Sequence, residues 1–156
     1  MTLELEKATP VPLRTLGLDE KWLQDRISSD PTILGLGDNL EIAGREHHQP
    51  IGGRIDFFMR NAEEQVYYEV EVMLGSVDES HIIRTIEYWD IERQRRPQWD
   101  HRAVIVAEQI TTRFFNVLRL LQGGAKLKAA SPQPADFRSD GQSSIFAAGS
   151  LASSSL

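Results

Sequence analysis

Apolar and polar positions alternate along residues 54–59, and again along residues 65–74 after a short polar break. A period of two marks β-strands, whose successive side chains point to opposite faces. Ile55, Phe57 and Met59 therefore share one face of the first strand, and Arg54, Asp56 and Phe58 the other. In the second strand Glu69 and Glu71 share a face, with Val66, Tyr68, Val70 and Val72 opposite. Arg60-Asn61-Ala62-Glu63-Glu64 supplies polar turn residues, so the two strands read as a hairpin. Elsewhere the period lengthens. Residues 18–28 predict a helix with Trp22, Leu23 and Ile27 inward and Asp19-Glu20 at its start, where the helix dipole favours acids. Residues 80–95 predict a longer helix, with Asp78 or Ser80 as cap and Ile82, Ile83, Ile86 and Trp89 as its apolar stripe. Residues 39–43 predict a short strand, residues 44–50 a polar loop, the apolar run 102–107 a buried strand, and residues 111–121 a further amphipathic helix. The expected order is helix, three strands, helix, strand, helix, in one domain spanning residues 1–130. Residues 131–156 hold eight serines and no sustained period, so they read as a low-complexity, disordered tail.

Composition removes several classes. The chain has no cysteine among its 156 residues, which excludes disulfides, thiolate zinc sites and cysteine nucleophiles. No run is long enough to span a membrane, and the first residues carry no secretory pattern, so a cytoplasmic protein with no membrane partner is expected. No Walker loop, GxSxG elbow or HExxH motif occurs. The net charge of −6 argues against indiscriminate coating of nucleic acid but leaves room for a local basic groove. Arg93-Gln94-Arg95-Arg96, with His101, Arg102 and Arg113, is the main candidate for such a patch, and a helix end complementing its dipole is the plainer reading. His47-His48 reads as part of an exposed loop rather than as a metal pair.

The acidic residues of the hairpin carry the chemistry. Folded back, the hairpin can bring Asp56 close to Glu69 and Glu71. Crowded carboxylates repel and lose hydration, and a hard divalent cation offsets both costs. A solvated sheet face is the plain alternative for Glu69 and Glu71. The helix that follows offers His81, Arg84 and Tyr88 at i, i+3 and i+7, on one face that could stand above the carboxylates. Plainer roles exist here too: a capping or surface histidine, an arginine paired with Glu87 or Asp90, and a packing tyrosine.

The strings Gly52-Gly53-Arg54-Ile55-Asp56, Tyr68-Glu69-Val70-Glu71-Val72-Met73-Leu74-Gly75 and Asp78-Glu79-Ser80-His81-Ile82-Ile83-Arg84, in the order αβββαβ, resemble the PD-(D/E)XK phosphodiesterase superfamily, and within it a group of small prokaryotic predicted nucleases. The resemblance covers residues 18–121. It implies an α/β, restriction-endonuclease-like fold with a central mixed sheet flanked by helices. It implies a metal-dependent nuclease acting on a nucleic acid, DNA first, and in many members a homodimer. Asp56 and Glu69 match the acids that hold Mg²⁺ or Mn²⁺, with Glu71 as a third ligand or base. The sequence departs from the pattern at the lysine: Glu71 stands in its place, and the alternative register Glu71-Val72-Met73 lacks it too. No lysine occurs between Lys21 and Lys126, so any cation must be an arginine or histidine, with Arg84 to clamp phosphate and His81 to move a proton. The resemblance also suggests Glu20 or Glu46 as an added upstream acid. The missing lysine supports a second reading, a catalytically degenerate nuclease-like module that binds nucleic acid or a protein partner, and a scaffold domain is a third.

Overall fold

The computed structural model describes residues 11–121, Lys126–Ser131 and Phe146–Ala148. A mixed sheet runs β1 (Glu41–His48), β2 (Arg54–Asn61), β3 (Val66–Val72), β4 (Asp100–Val106), β5 (Lys126–Ser131), β6 (Phe146–Ala148), in that spatial order. β1, β2 and β3 form an antiparallel meander; β3, β4 and β5 are parallel; β6 returns antiparallel. Every residue of β3 is buried, as a central strand covered on both faces requires.

Helices cover the two faces. α1 (Glu20–Ser29) is capped by Asp19, whose carboxylate accepts the Trp22 N–H. It packs Leu23 and Ile27 with Phe57, Met59, Tyr68, Val70, Val72 and Val104. α2 (Glu79–Arg95) and α3 (Thr112–Leu121) take the opposite face, where Ile82 and Leu118 meet Ala103, Ile105 and Met73. The predicted order of helices and strands holds through residue 121, and the fold class is α/β with a mixed sheet between helices, as expected. The expected boundary between residues 130 and 131 falls inside β5; of the expected tail, Ser131 and Phe146–Ala148 are described, both as strand, and the rest lies outside the described residues. Among the described residues no helix is long and apolar enough to cross a membrane.

Two expectations need correction. Residues 44–48 are not loop: β1 continues through His48, with a bulge between Ile42 and Gly44, and pairs His48 with Arg54. β1 is an edge strand with exposed residues on both sides, so it carries charges in place of an apolar rhythm. Ile83 is not on the buried stripe of α2; it is 58% exposed, and Thr85, Tyr88 and Glu92 join Ile82 inward instead.

The buried Glu92 is a hub. It accepts hydrogen bonds from Gln49 Nε2 at 2.9 Å and Arg95 Nη1 at 3.1 Å, meets His47 Nε2 at 3.2 Å, and pairs with Arg96. The carboxylate thereby fastens the β1–β2 turn to the end of α2. A second fastening lies at the start of β2. Gly53 has φ +84°, and a Cβ there would fall 2.2 Å from the Tyr88 hydroxyl. The Arg54 backbone N–H lies near enough to that hydroxyl to lower its proton affinity, against the burial that raises it. Gly53→Ala will therefore lower stability by roughly 1–3 kcal/mol from backbone strain, and further through the clash. In urea melts the same substitution made in a Tyr88→Phe background should cost less, because the atom it strikes is gone while the strain persists; equal costs in the two backgrounds would mean that the Gly53–Tyr88 contact does not govern this packing.

Candidate active site

The β2–β3 register sets Phe57 against Val70 and Phe58 against Glu69, which places Asp56 across from Glu71. The two carboxylates interlock with the backbone. Asp56 Oδ2 accepts the Val72 N–H at 2.7 Å, and Glu71 Oε1 accepts the Asp56 N–H at 3.4 Å. From α1, Gln24 Nε2 donates to Asp56 Oδ1 at 3.3 Å, and Glu20 lies close enough for its charge to raise the proton affinity of both acids. From α2, Arg84 Nη1 stands 3.8 Å from Glu71 Oε2, and the charge of His81 reaches Asp56. The pair thus sits where β2 and β3 meet side chains from both helix layers.

Burial dominates the electrostatics. It pushes the Asp56 carboxyl up to about 6, against the Val72 N–H that lowers it. It pushes Glu71 up to about 8, with the Asp56 charge adding to the rise and Arg84 opposing it. Two acids on neighbouring strands, Glu71 buried and Asp56 half-buried, resist double ionisation unless a cation joins them. Beside them opens a cleft of about 550 Å³ lined by Glu20, Lys21, Gln24, Arg45 and Glu46. Arg45 Nη2 and Lys21 Nζ meet there on Asp25, at 2.7 and 3.0 Å.

Glu69 does not join this pair. It is fully buried, and its Oε1 lies 2.7 Å from His101 Nδ1. His101 Nε2 lies 2.8 Å from the Arg96 carbonyl, which can only accept, so Nε2 carries a proton and Nδ1 shares one with Glu69. Glu69 therefore belongs to a buried pair tying β3 to β4. The register favours Glu71-Val72-Met73 as the counterpart of the acid-x-lysine string, with buried Met73 where a lysine would stand. Among the described residues no group of three or more histidine and acidic side chains converges on a metal position.

The basic cluster is divided among separate tasks. Arg95 and Arg96 serve Glu92, Arg93 pairs with Asp90 and lies over the Trp89 ring, Arg113 pairs with Glu79, and His101 is buried on Glu69. His101 is thus no surface cation. His47 lies in β1 on Glu92. Glu46 pairs with Arg54 and also lines the cleft. Gln24, which orients Asp56, is not among the residues the sequence singles out; its spacing of i+4 from Glu20 on α1 is the signal that marks it.

The fold is α/β, a mixed sheet between helices of the restriction-endonuclease-like type. No family model matches the sequence, and no curated protein matches it either. Solved structures do share the fold. The structure of an EndoMS–dsDNA complex superposes with a TM-score of 0.59 at 17% identity, covering 83% of this chain and 49% of that one. A repair endonuclease from Pyrococcus abyssi gives the same TM-score of 0.59 at 14% identity, covering 84% of this chain and 50% of that one. The chain spans about half the length of these solved structures.

Proposed function

We propose that this domain is a metal-dependent nuclease that hydrolyses phosphodiester bonds, with DNA as the first candidate substrate. The observation that carries the reading is the interlocked Asp56–Glu71 pair, set across two strands and faced by Arg84. The dsDNA complex among the structural neighbours supports the choice of substrate.

The residues fit a hard divalent ion. Mg²⁺ commonly binds through one or two carboxylates while keeping waters and substrate phosphates as its other ligands. Asp56 and Glu71 would hold it, and its charge would offset the burial and the mutual repulsion that raise their proton affinities. When bound, Mg²⁺ or Mn²⁺ would supply Lewis-acid polarisation of the phosphate. The chain's own groups do the rest. Gln24 and the Val72 N–H fix the Asp56 oxygens. Arg84 is 45% exposed, so it can swing from Glu71 to an incoming phosphate, the charge role that no lysine fills here. Glu20 stands by as a further acid.

The test is a calorimetric titration of Mg²⁺ and Mn²⁺ into the protein, with cleavage of single- and double-stranded DNA followed in parallel. Metal binding together with metal-dependent cleavage is the expected result. The buried Met73 favours a second reading, an inert nuclease-like module. Salt-sensitive DNA retention with neither metal binding nor cleavage would establish it in place of the first.

A further inference from the structure

His81 is held in one orientation by the residue that caps its helix. Asp78 accepts the His81 backbone N–H at 2.9 Å, and the same carboxylate oxygen lies 2.8 Å from His81 Nδ1. One acid therefore caps α2 and grips the ring of the residue three positions on. These bonds, the backbone one first, hold the Asp78 carboxyl down at about 2, so it is ionised and can only accept. Nδ1 must then be the donor, and in the neutral ring the lone pair is left on Nε2. The ring is partly open, with 26% of its side chain exposed, and it stands near enough to Asp56 for its protonation to act on that carboxyl. Arg84 lies one turn along the same helix, on Glu71.

Resting on the nuclease reading, we propose that Asp78 and His81 form a dyad in which Asp78 is a positioning residue and His81 Nε2 takes the proton of the attacking water. The balance is simple. The water O–H bond breaks as its oxygen bonds to phosphorus, and the proton goes to Nε2. The bond from phosphorus to the leaving oxygen breaks, and that oxygen takes a proton from solvent. His81 then returns its proton to solvent. The dyad supplies the base that neither register of the acid-x-lysine string provides.

The test combines a tautomer measurement with kinetics. Long-range ¹H–¹⁵N NMR of the metal-free protein, with the signal assigned by its loss in His81→Gln, is expected to show His81 protonated on Nδ1. Asp78→Asn keeps a capping side chain, so the fold should survive. It is expected to erase the tautomer bias, lower kcat by about 10-fold or more at little change in KM, and leave Mg²⁺ affinity intact. His81→Gly should lose about 10²-fold or more, and added imidazole should restore part of it. A wild-type His81 protonated on Nε2, or cleavage by both variants at the wild-type rate, would overturn the dyad while leaving the metal-dependent nuclease standing. Absence of cleavage by wild type with any metal would bring down the nuclease reading and the dyad with it.

Discussion

Asp56→Asn and Glu71→Gln will each remove Mg²⁺ binding and cut DNA cleavage by about 10³-fold or more, whereas Glu69→Gln will leave metal binding in place. The size follows from several kcal/mol of charge stabilisation, at about 1.4 kcal/mol per decade of rate. The contrast follows from the register. Asp56 and Glu71 interlock through the Asp56 and Val72 N–H groups, while Glu69 lies further along β3, on His101. All three substitutions preserve shape. The amide of a glutamine at position 69 can still donate to His101 Nδ1, so that variant should fold with only a modest drop in melting temperature. Calorimetry on the three proteins separates two arrangements of the same sequence string. If Glu69→Gln loses the metal and Glu71→Gln keeps it, the metal is held by Asp56 and Glu69, and Glu71 is the accessory acid.

That choice was not legible in the sequence, and the reason is geometric. Glu69 and Glu71 share a face in any strand, because side chains alternate with a period of two. Which of them opposes Asp56 depends on where the hairpin turns. Asn61 still pairs with Val66, so the turn is residues 62–65, with Gln65 at φ 56°. The composition of residues 60–64 marks a turn without fixing that count. What alternation and helical period could reveal, they revealed: the hairpin, α1, α2, β4 and α3, together with the face of α2 that carries His81, Arg84 and Tyr88. Non-local pairings were out of reach. His101 meets Glu69 because β3 and β4 are parallel, with Tyr67 beside His101. Glu92 gathers partners from β1 and from its own helix. Such ties bind elements far apart in the chain, and no local periodicity encodes them. The same holds for Gly53, whose need to lack a Cβ comes from a hydroxyl on another element as well as from its own φ.

The metal-free protein will lose stability as the pH rises from 5 toward 8. Asp56 and Glu71 have folded-state proton affinities raised to about 6 and about 8, from ordinary values of 3.8 and 4.5. Between the ordinary and raised values the folded chain holds protons that the unfolded chain has released. Stability therefore falls across that window, fully present below the unfolded values and lost above the folded ones. At about 1.4 kcal/mol per unit, the two coupled acids make the loss on the order of a few kcal/mol. Asp25 and Asp78 act in the opposite sense, because their lowered values weaken the fold only as the pH drops through the acid range. Mg²⁺ should reverse the alkaline loss. An ion held by the ionised pair would stabilise more as protons leave, and more at pH 8 than at pH 5. Glu71→Gln should flatten the metal-free profile, since one neutral amide removes both the repulsion and the buried charge. Calorimetric melts at pH 5, 6, 7 and 8, with and without Mg²⁺, read all of this directly. A melting temperature of the metal-free wild type that holds steady or climbs from pH 5 to pH 8 would mean that the pair keeps enough water to ionise freely, and that it has no need of a cation.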